Sequence, residues 1–177
     1  MNSNHLNYTF TSGGDKELND AIEQYGQPLL RYCHNILCDY YEAQDVVQIT
    51  FIKAYKKRKS FKSGTSLSAW LYRIAYTTCM DSLRKKKYLF FKLTPKDNDS
   101  TFMSEDLKSA LSTLSPQDRA LVFSRVIDEK SYLELEEIYQ IPASTLRKRF
   151  ERAKKGLANV LKEKNAYYAR LGEENEV

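Results

Sequence analysis

Glycine and proline are scarce in this sequence, six and four among 177 residues. Both residues punctuate turns, so a fold of many short strands and hairpins is disfavoured. No stretch alternates apolar and polar residues for long, which argues for helices rather than sheet. No run of eighteen apolar residues occurs, so no segment reads as a membrane span and direct membrane insertion is not expected. The first residues, MNSNHLNYTFTSGGDKEL, lack a basic start followed by an apolar run. They do not read as a secretory signal, and a cytoplasmic protein is expected. The three cysteines, Cys33, Cys38 and Cys79, do not pair evenly. With His34 they could be drawn as a metal site, but there is no Cys-x-x-Cys pair, and Cys33 and His34 point to different sides of a helix. Buried reduced thiols are the expectation, with no metal and no cofactor. A Gly-rich phosphate loop and a paired-His motif are also missing, and His5 and His34 lack an evident nucleophile partner. The sequence therefore indicates neither an enzyme nor a small-molecule substrate.

What is present is helix, charge and tyrosine. Hydrophobic residues are 42% of the chain, enough for a modest core. The net charge of +5 matters less than where the basic residues lie. From residue 15 to 87 the pattern reads as a helical bundle, with helical pieces near Lys16–Tyr25, Pro28–Leu37, Glu42–Lys59 and Ser68–Lys87. Between the last two, SFKSGTSLS (Ser60 to Ser68) reads as a loop. Residues 88–103, with Pro95 and a polar run, read as a flexible linker holding an aromatic cluster at Tyr88, Phe90 and Phe91. A second domain spans 104–164. Ser115-Pro116-Gln117-Asp118 is a capped helix start with proline at the first position. Ser131-Tyr132-Leu133-Glu134 is a capping box, and Pro142 opens a further helix after a tight turn. Three helices so joined make a helix-turn-helix unit. The tail, 165–177, turns acidic at Glu173, Glu174 and Glu176. The fold class expected is all-α, two small helical domains on a flexible linker.

Helical spacing separates packed faces from working faces. On the last helix, Leu146, Phe150, Ala153 and Leu157 form the packed stripe. Ser144, Lys148, Arg152 and Lys155 lie opposite, with Arg147 and Arg149 on the flanks. A basic face that begins in small hydroxyl residues suits a recognition helix entering the major groove N-terminus first. On the helix from Glu42, the packed side is Ala43, Val46, Val47, Thr50, Phe51 and Ala54. Its outer side carries Ile49 and Ile52 beside Asp45 and Gln48. An apolar patch rimmed by polar groups suggests a protein docking surface. The helix from Ser68 presents a second stripe, Arg73, Thr77, Met80 and Arg84 with Tyr76 alongside, suited to phosphates and exposed bases.

AQDVVQITFIKAY (Ala43 to Tyr55), SFKSGTSLSAWLYRIAYTTCMDSLRKKK (Ser60 to Lys87), ALSTLSPQDRALVFSRV and SYLELEEIYQIPASTLRKRFERAKKGL together resemble the bacterial RNA polymerase sigma factors of the extracytoplasmic-function type. The resemblance runs over nearly all of Lys16 to Leu161. It implies a region-2 domain over 15–87 and a region-4 helix-turn-helix domain over 104–164. It also implies the partners: core RNA polymerase through its largest-subunit clamp helices and its flap, promoter DNA both duplex and single-stranded, and an anti-sigma factor. Carried over, Asp45 and Gln48, with Ile49 and Ile52 adjacent, would meet the clamp helices. Phe61, Lys62, Ser63 and Gly64 would lie in the loop that captures a flipped base of the −10 element. Arg73, Tyr76, Thr77, Met80 and Arg84 would hold the open strand. Ser144, Thr145, Arg147, Lys148, Arg149 and Arg152 would read the −35 duplex.

The sequence departs from that family at several points. Thr77 stands where Asn is common, and Gln44 where Glu precedes the Asp. Glu136 replaces a small alanine that packs on the recognition helix, where burial without a partner would be costly; pairing with Arg147 or Arg149 would offset it. Gln140 replaces the glycine of the turn, implying an altered turn or backbone strain. Two rivals stay open on the residues alone: a stand-alone helix-turn-helix regulator, and a protein that occupies polymerase without opening promoters.

Overall fold

The computed structural model describes residues 3–90 and 110–164, and every regular element among them is helical. In chain order these are α1 (Ser3–Thr9), α2 (Asp15–Leu37), α3 (Tyr40–Lys57), a 3₁₀ turn (Arg58–Ser60), α4 (Leu67–Phe90), α5 (Pro116–Val126), α6 (Tyr132–Tyr139) and α7 (Ala143–Lys164). The two pieces expected on either side of Pro28 are one helix. Pro28 brings no N–H to the ladder, a loss of about 3 kcal/mol in a helix interior. Ala21, Tyr25, Leu29, Tyr32 and Ile36 nevertheless form one buried stripe across it. Each large side chain fully buried there contributes about 1.5–3 kcal/mol, so the stripe outweighs the proline. Asp39 caps α3, accepting from the Glu42 N–H at 3.0 Å. Ser115 caps α5 through the Asp118 N–H at 3.1 Å.

Two boundaries differ from expectation. Helix α4 runs through Phe90, so the first residues assigned to the linker continue the helix. Phe91, the rest of the linker to 103 and the acidic tail 165–177 lie outside the described residues. At the other end, the segment before Asp15 carried no expected element, yet it folds as α1. Leu6 and Phe10 from this segment are buried in the core. Phe10 meets Phe61 and Trp70 edge-on, at ring separations of 6.3 and 6.1 Å.

Helices α2, α3 and α4 pack as a bundle, and α7 packs on both α5 and α6. The two units also pack on each other, α2 against α5 and α4 against α6, so that one apolar core runs from Leu6 to Phe150. Tyr139, at the end of α6, reaches into this seam. Its hydroxyl lies 3.1 Å from that of Tyr32 and 3.0 Å from Ser124 Oγ. Arg119 of α5 donates to the Ile36 carbonyl at 2.7 and 3.2 Å and to the carbonyls of Leu111 and Leu114, covering the C-terminus of α2. Lys130 sits 4.1 Å above the Tyr72 ring. Cys33 and Cys79 are buried free thiols in this core, while Cys38 is only half-buried and ends α2 in the left-handed conformation.

Candidate nucleic-acid and protein interfaces

The helix-turn-helix forms as its capping residues dictate. Ser131 and Glu134 make a reciprocal box: the Ser131 N–H donates to Glu134 at 2.7 Å, and the Glu134 N–H donates to Ser131 at 3.3 Å. Helix α6 ends at Gln140, held at φ 56°, ψ 38°. The turn therefore keeps the left-handed geometry that suits glycine, and Gln140 carries the strain. Its amide partly offsets this by donating to the Glu137 carbonyl at 2.8 Å. Glu136 corrects the expectation of a buried or Arg-paired carboxylate. It is exposed, and accepts from the backbone N–H of Ala143 at 2.9 Å. Pro142 has no side-chain acceptor with which to cap α7. A carboxylate from the preceding helix takes that role, and its charge suits the positive end of α7.

On α7, Leu146, Phe150 and Ala153 are buried as the periodicity requires. Ser144, Thr145, Arg147, Lys148 and Arg152 are exposed along the opposite face. Arg149 is not among them. It is half-buried and paired with Asp118 of α5 at 2.5 Å, so it ties the recognition helix to the domain behind it.

Helix α3 presents Asp45, Gln48, Ile49 and Ile52 to solvent, with Ile52 53% exposed. The structure divides this set between two grooves. Gln48 and Ile52 border an apolar groove of about 570 Å³ between α2 and α3, whose other wall includes Leu18, Ile22 and Leu30. Ile49 borders a second groove towards α4, beside Lys53, Asp81 and Arg84. Lys53 itself is committed to α4, donating to Thr78 at 3.0 Å. Ile22, 41% exposed on α2, belongs to the first groove and was not singled out from the sequence. Only the pairing of α2 with α3 brings it beside Ile52.

On α4, Arg73, Thr77 and Arg84 are exposed. Thr77 turns its hydroxyl back onto the carbonyls of Arg73 and Ile74. Arg84 pairs with Asp81 at 3.1 Å on the surface. Tyr76 and Met80 are partly buried, and Tyr76 packs edge-on against Tyr139 at 4.8 Å. In the preceding loop Lys62, Ser63 and Gly64 are exposed, but Phe61 is 3% exposed, stacked into the Phe10–Trp70 cluster. Phe61 therefore anchors the loop from within the core, and its burial does not suit the captured-base role expected for it. The loop is also held from a side the sequence did not suggest. Asn7 of α1 accepts from the Gly64 N–H through its carbonyl, at 2.8 Å, and from the Leu67 N–H through its side chain, at 2.9 Å. The only sequence signal was the pair Leu6 and Phe10, four residues apart in an otherwise polar leader.

These features define a two-part helical protein with a basic helix-turn-helix face, a basic-aromatic helix face and a polar-rimmed apolar groove. The sigma-70 region 2 family matches residues 21–88, and the sigma-70 region 4 family matches residues 104–157. The RNA polymerase sigma factor YlaC of Bacillus subtilis (strain 168) is 30% identical over 135 residues, covering 68% of this chain and 78% of YlaC. The ECF RNA polymerase sigma factor SigW of the same organism is 27% identical over 165 residues, 81% of this chain and 88% of SigW. Among solved structures, the sigma factor RpoE in complex with the anti-sigma factor NepR from Bartonella quintana superposes with a TM-score of 0.71 at 24% identity. It covers 83% of this chain and 98% of RpoE. CnrH in complex with the cytosolic domain of CnrY gives 0.72 at 19% identity, over 92% of this chain and 99% of CnrH. At these identities the two structures speak to the fold. The chain belongs to the sigma-70 family, as an ECF RNA polymerase sigma factor.

Proposed function

We propose that the α2–α3 face holds core RNA polymerase, that the 62–65 loop and α4 hold the unpaired −10 strand, and that α7 reads the −35 duplex. The chain acts as an initiation factor in the cytoplasm and catalyses nothing itself. Asp45 and Gln48 supply the polar contacts to polymerase, and Ile52, with Leu18 and Ile22 behind it, the apolar ones. Strand opening then follows from differential binding. An unpaired strand gains stacking and phosphate contacts along Arg73, Tyr76 and Arg84 that a duplex cannot make, so the equilibrium shifts towards the open form. On α7, Arg147, Lys148 and Arg152 reach bases or phosphates, with Ser144 and Thr145 at the leading end. The RpoE neighbour was solved with the anti-sigma factor NepR, and an anti-sigma factor is the regulator this reading assigns to the present chain.

The observation that carries the reading is the exposed Asp45–Gln48–Ile52 edge beside an open apolar groove, on the same chain as an exposed basic recognition face. Neither a stand-alone repressor nor a decoy needs both with an α4 stripe between them. The test is run-off transcription from genomic fragments with purified core polymerase and the full chain. Promoter-specific transcripts are expected. Asp45→Ala combined with Gln48→Ala should weaken core binding about tenfold, as loss of interface anchors commonly does, while leaving helicity unchanged. Polymerase binding without any specific transcript would instead support the decoy. Tight duplex binding without polymerase would support the free-standing regulator.

A further inference from the structure

The sigma-factor reading leaves α1 and Tyr8 without a task. Tyr8 is a large aromatic side chain left 64% exposed on α1. An exposed aromatic ring is a cost that core packing does not explain, because its neighbours Leu6 and Phe10 already supply the buried contacts of this segment. The ring lies over the tip of the 62–65 loop. A Cβ added to Gly64 would come 3.3 Å from Tyr8 Cε1, and Gly64 stands at φ +81°. Glycine here serves both the left-handed turn and the close approach of the ring.

The contact is held by several bonds. The Gly64 N–H donates to the Asn7 carbonyl at 2.8 Å, and Ser63 Oγ donates to the Tyr8 carbonyl at 3.2 Å. Thr11 Oγ1 donates to the Phe61 carbonyl at 3.0 Å, and the Asn7 side chain accepts from the Leu67 N–H at the start of α4. Beneath, Phe10 packs on Phe61 and Trp70. The loop and α1 thus form one supported unit. Its solvent-facing side carries a tyrosine ring, a glycine backbone, the hydroxyls of Ser63 and Thr65, and the cation of Lys62.

We propose that Tyr8 is a stacking platform for an unpaired nucleobase of the promoter's non-template strand, which makes α1 part of the −10 site. This rests on the sigma reading of the loop. A base flipped out of a duplex exposes both π-faces. An aromatic ring with its edge fixed against the loop offers one face without further ordering of the backbone, and such stacking tolerates any base. Lys62 is placed on the same surface for the adjoining phosphate. Tyr8 acts by contact with the DNA and does not position another residue.

The test uses holoenzyme, core polymerase with the full chain, and a promoter obtained from the run-off assay. Two probes are compared: a fork-junction DNA whose non-template strand is unpaired across the −10 element, and a −35 duplex. Tyr8→Ala should weaken fork-junction binding about tenfold, and permanganate reactivity of the opened strand should fall with it. Tyr8→Phe should bind as the unaltered protein does. Core affinity, duplex affinity and thermal stability should not change in either variant, since the ring is mostly in solvent. Unchanged fork-junction binding in Tyr8→Ala overturns the proposal. So does an equal loss in Tyr8→Phe, which would point to a hydroxyl contact, or an equal loss on both probes, which would mark a structural role. The unaltered protein separates this from failure of the sigma reading itself: if its holoenzyme does not prefer the fork to duplex, both fall together.

Discussion

Gln140 holds the turn of the helix-turn-helix in the left-handed region, at φ 56°, ψ 38°. A side chain there costs about 1–2 kcal/mol relative to ordinary helical backbone, because Cβ crowds the following carbonyl. The exposed amide bond to Glu137 recovers part of this. Gln140→Gly should therefore stabilise the protein by about 1 kcal/mol, a rise in Tm of about 2–4 °C at this chain length. A fall in Tm on thermal scanning would mean that the Gln140 side chain contributes more than its geometry costs. Arg149 teaches a related lesson at the same scale. Its place on the flank of α7 is correct by periodicity, but periodicity cannot say that Asp118, thirty-one residues earlier, lies within 2.5 Å. A basic residue on a DNA-facing helix is free to read DNA only if nothing nearer claims it.

Among the elements, α7 depends on α6 for more than its orientation. The Ala143 N–H is satisfied by Glu136, seven residues earlier across the turn. Glu136→Ala should cost about 1 kcal/mol, the usual loss for a helix cap. Glu136→Gln, which keeps an acceptor oxygen, should retain most of that stability. The charge has a second effect if α7 reads duplex as proposed, because the carboxylate stands at its N-terminal end. Removing it in Glu136→Gln should tighten duplex binding at low salt, where repulsion from phosphates is least screened. Thermal scans and salt-dependent duplex titrations read the two effects apart. Equal destabilisation by both substitutions would show that the cap is not the carboxylate's role.

Much at this scale was legible in sequence. The capping boxes, the packed stripes of α3 and α7 and the exposed Asp45–Gln48 edge follow from local spacing and short-range bonding. What was not legible depends on partners distant in the chain. The continuity of α2 through Pro28 needed the burial of Tyr32 and Ile36. The inward turn of Phe61 needed Phe10. The packing of α1 needed the loop more than fifty residues on, and a seven-residue helix has too little periodicity to announce itself.

For the whole molecule, the packing of the two units sets a constraint on function. The −35 and −10 elements lie about 25 base pairs apart by position, roughly 85 Å along straight duplex at 3.4 Å per pair. A compact chain of this length has a radius of gyration of about 16 Å. The closed arrangement cannot reach both elements, and it also covers part of the α4 stripe, since Tyr76 packs on Tyr139. Promoter engagement must therefore part α4 from α6, withdrawing Tyr139 from Tyr32 and Tyr76. Tyr139→Ala should open the free protein, seen as a larger radius of gyration by solution scattering and faster promoter-complex formation at unchanged core affinity. The same seam responds to alkali. Burial raises the phenols of both Tyr32 and Tyr139 above the ordinary tyrosine range. Above pH about 10, the exposed state therefore releases protons that the closed state keeps, so closure weakens as pH rises. Scattering across pH 8 to 11 should show the unaltered protein expanding where tyrosinate absorbance appears, and Tyr139→Ala already expanded at the start. A radius that is the same in both proteins at every pH would mean that Tyr139 does not hold the units together.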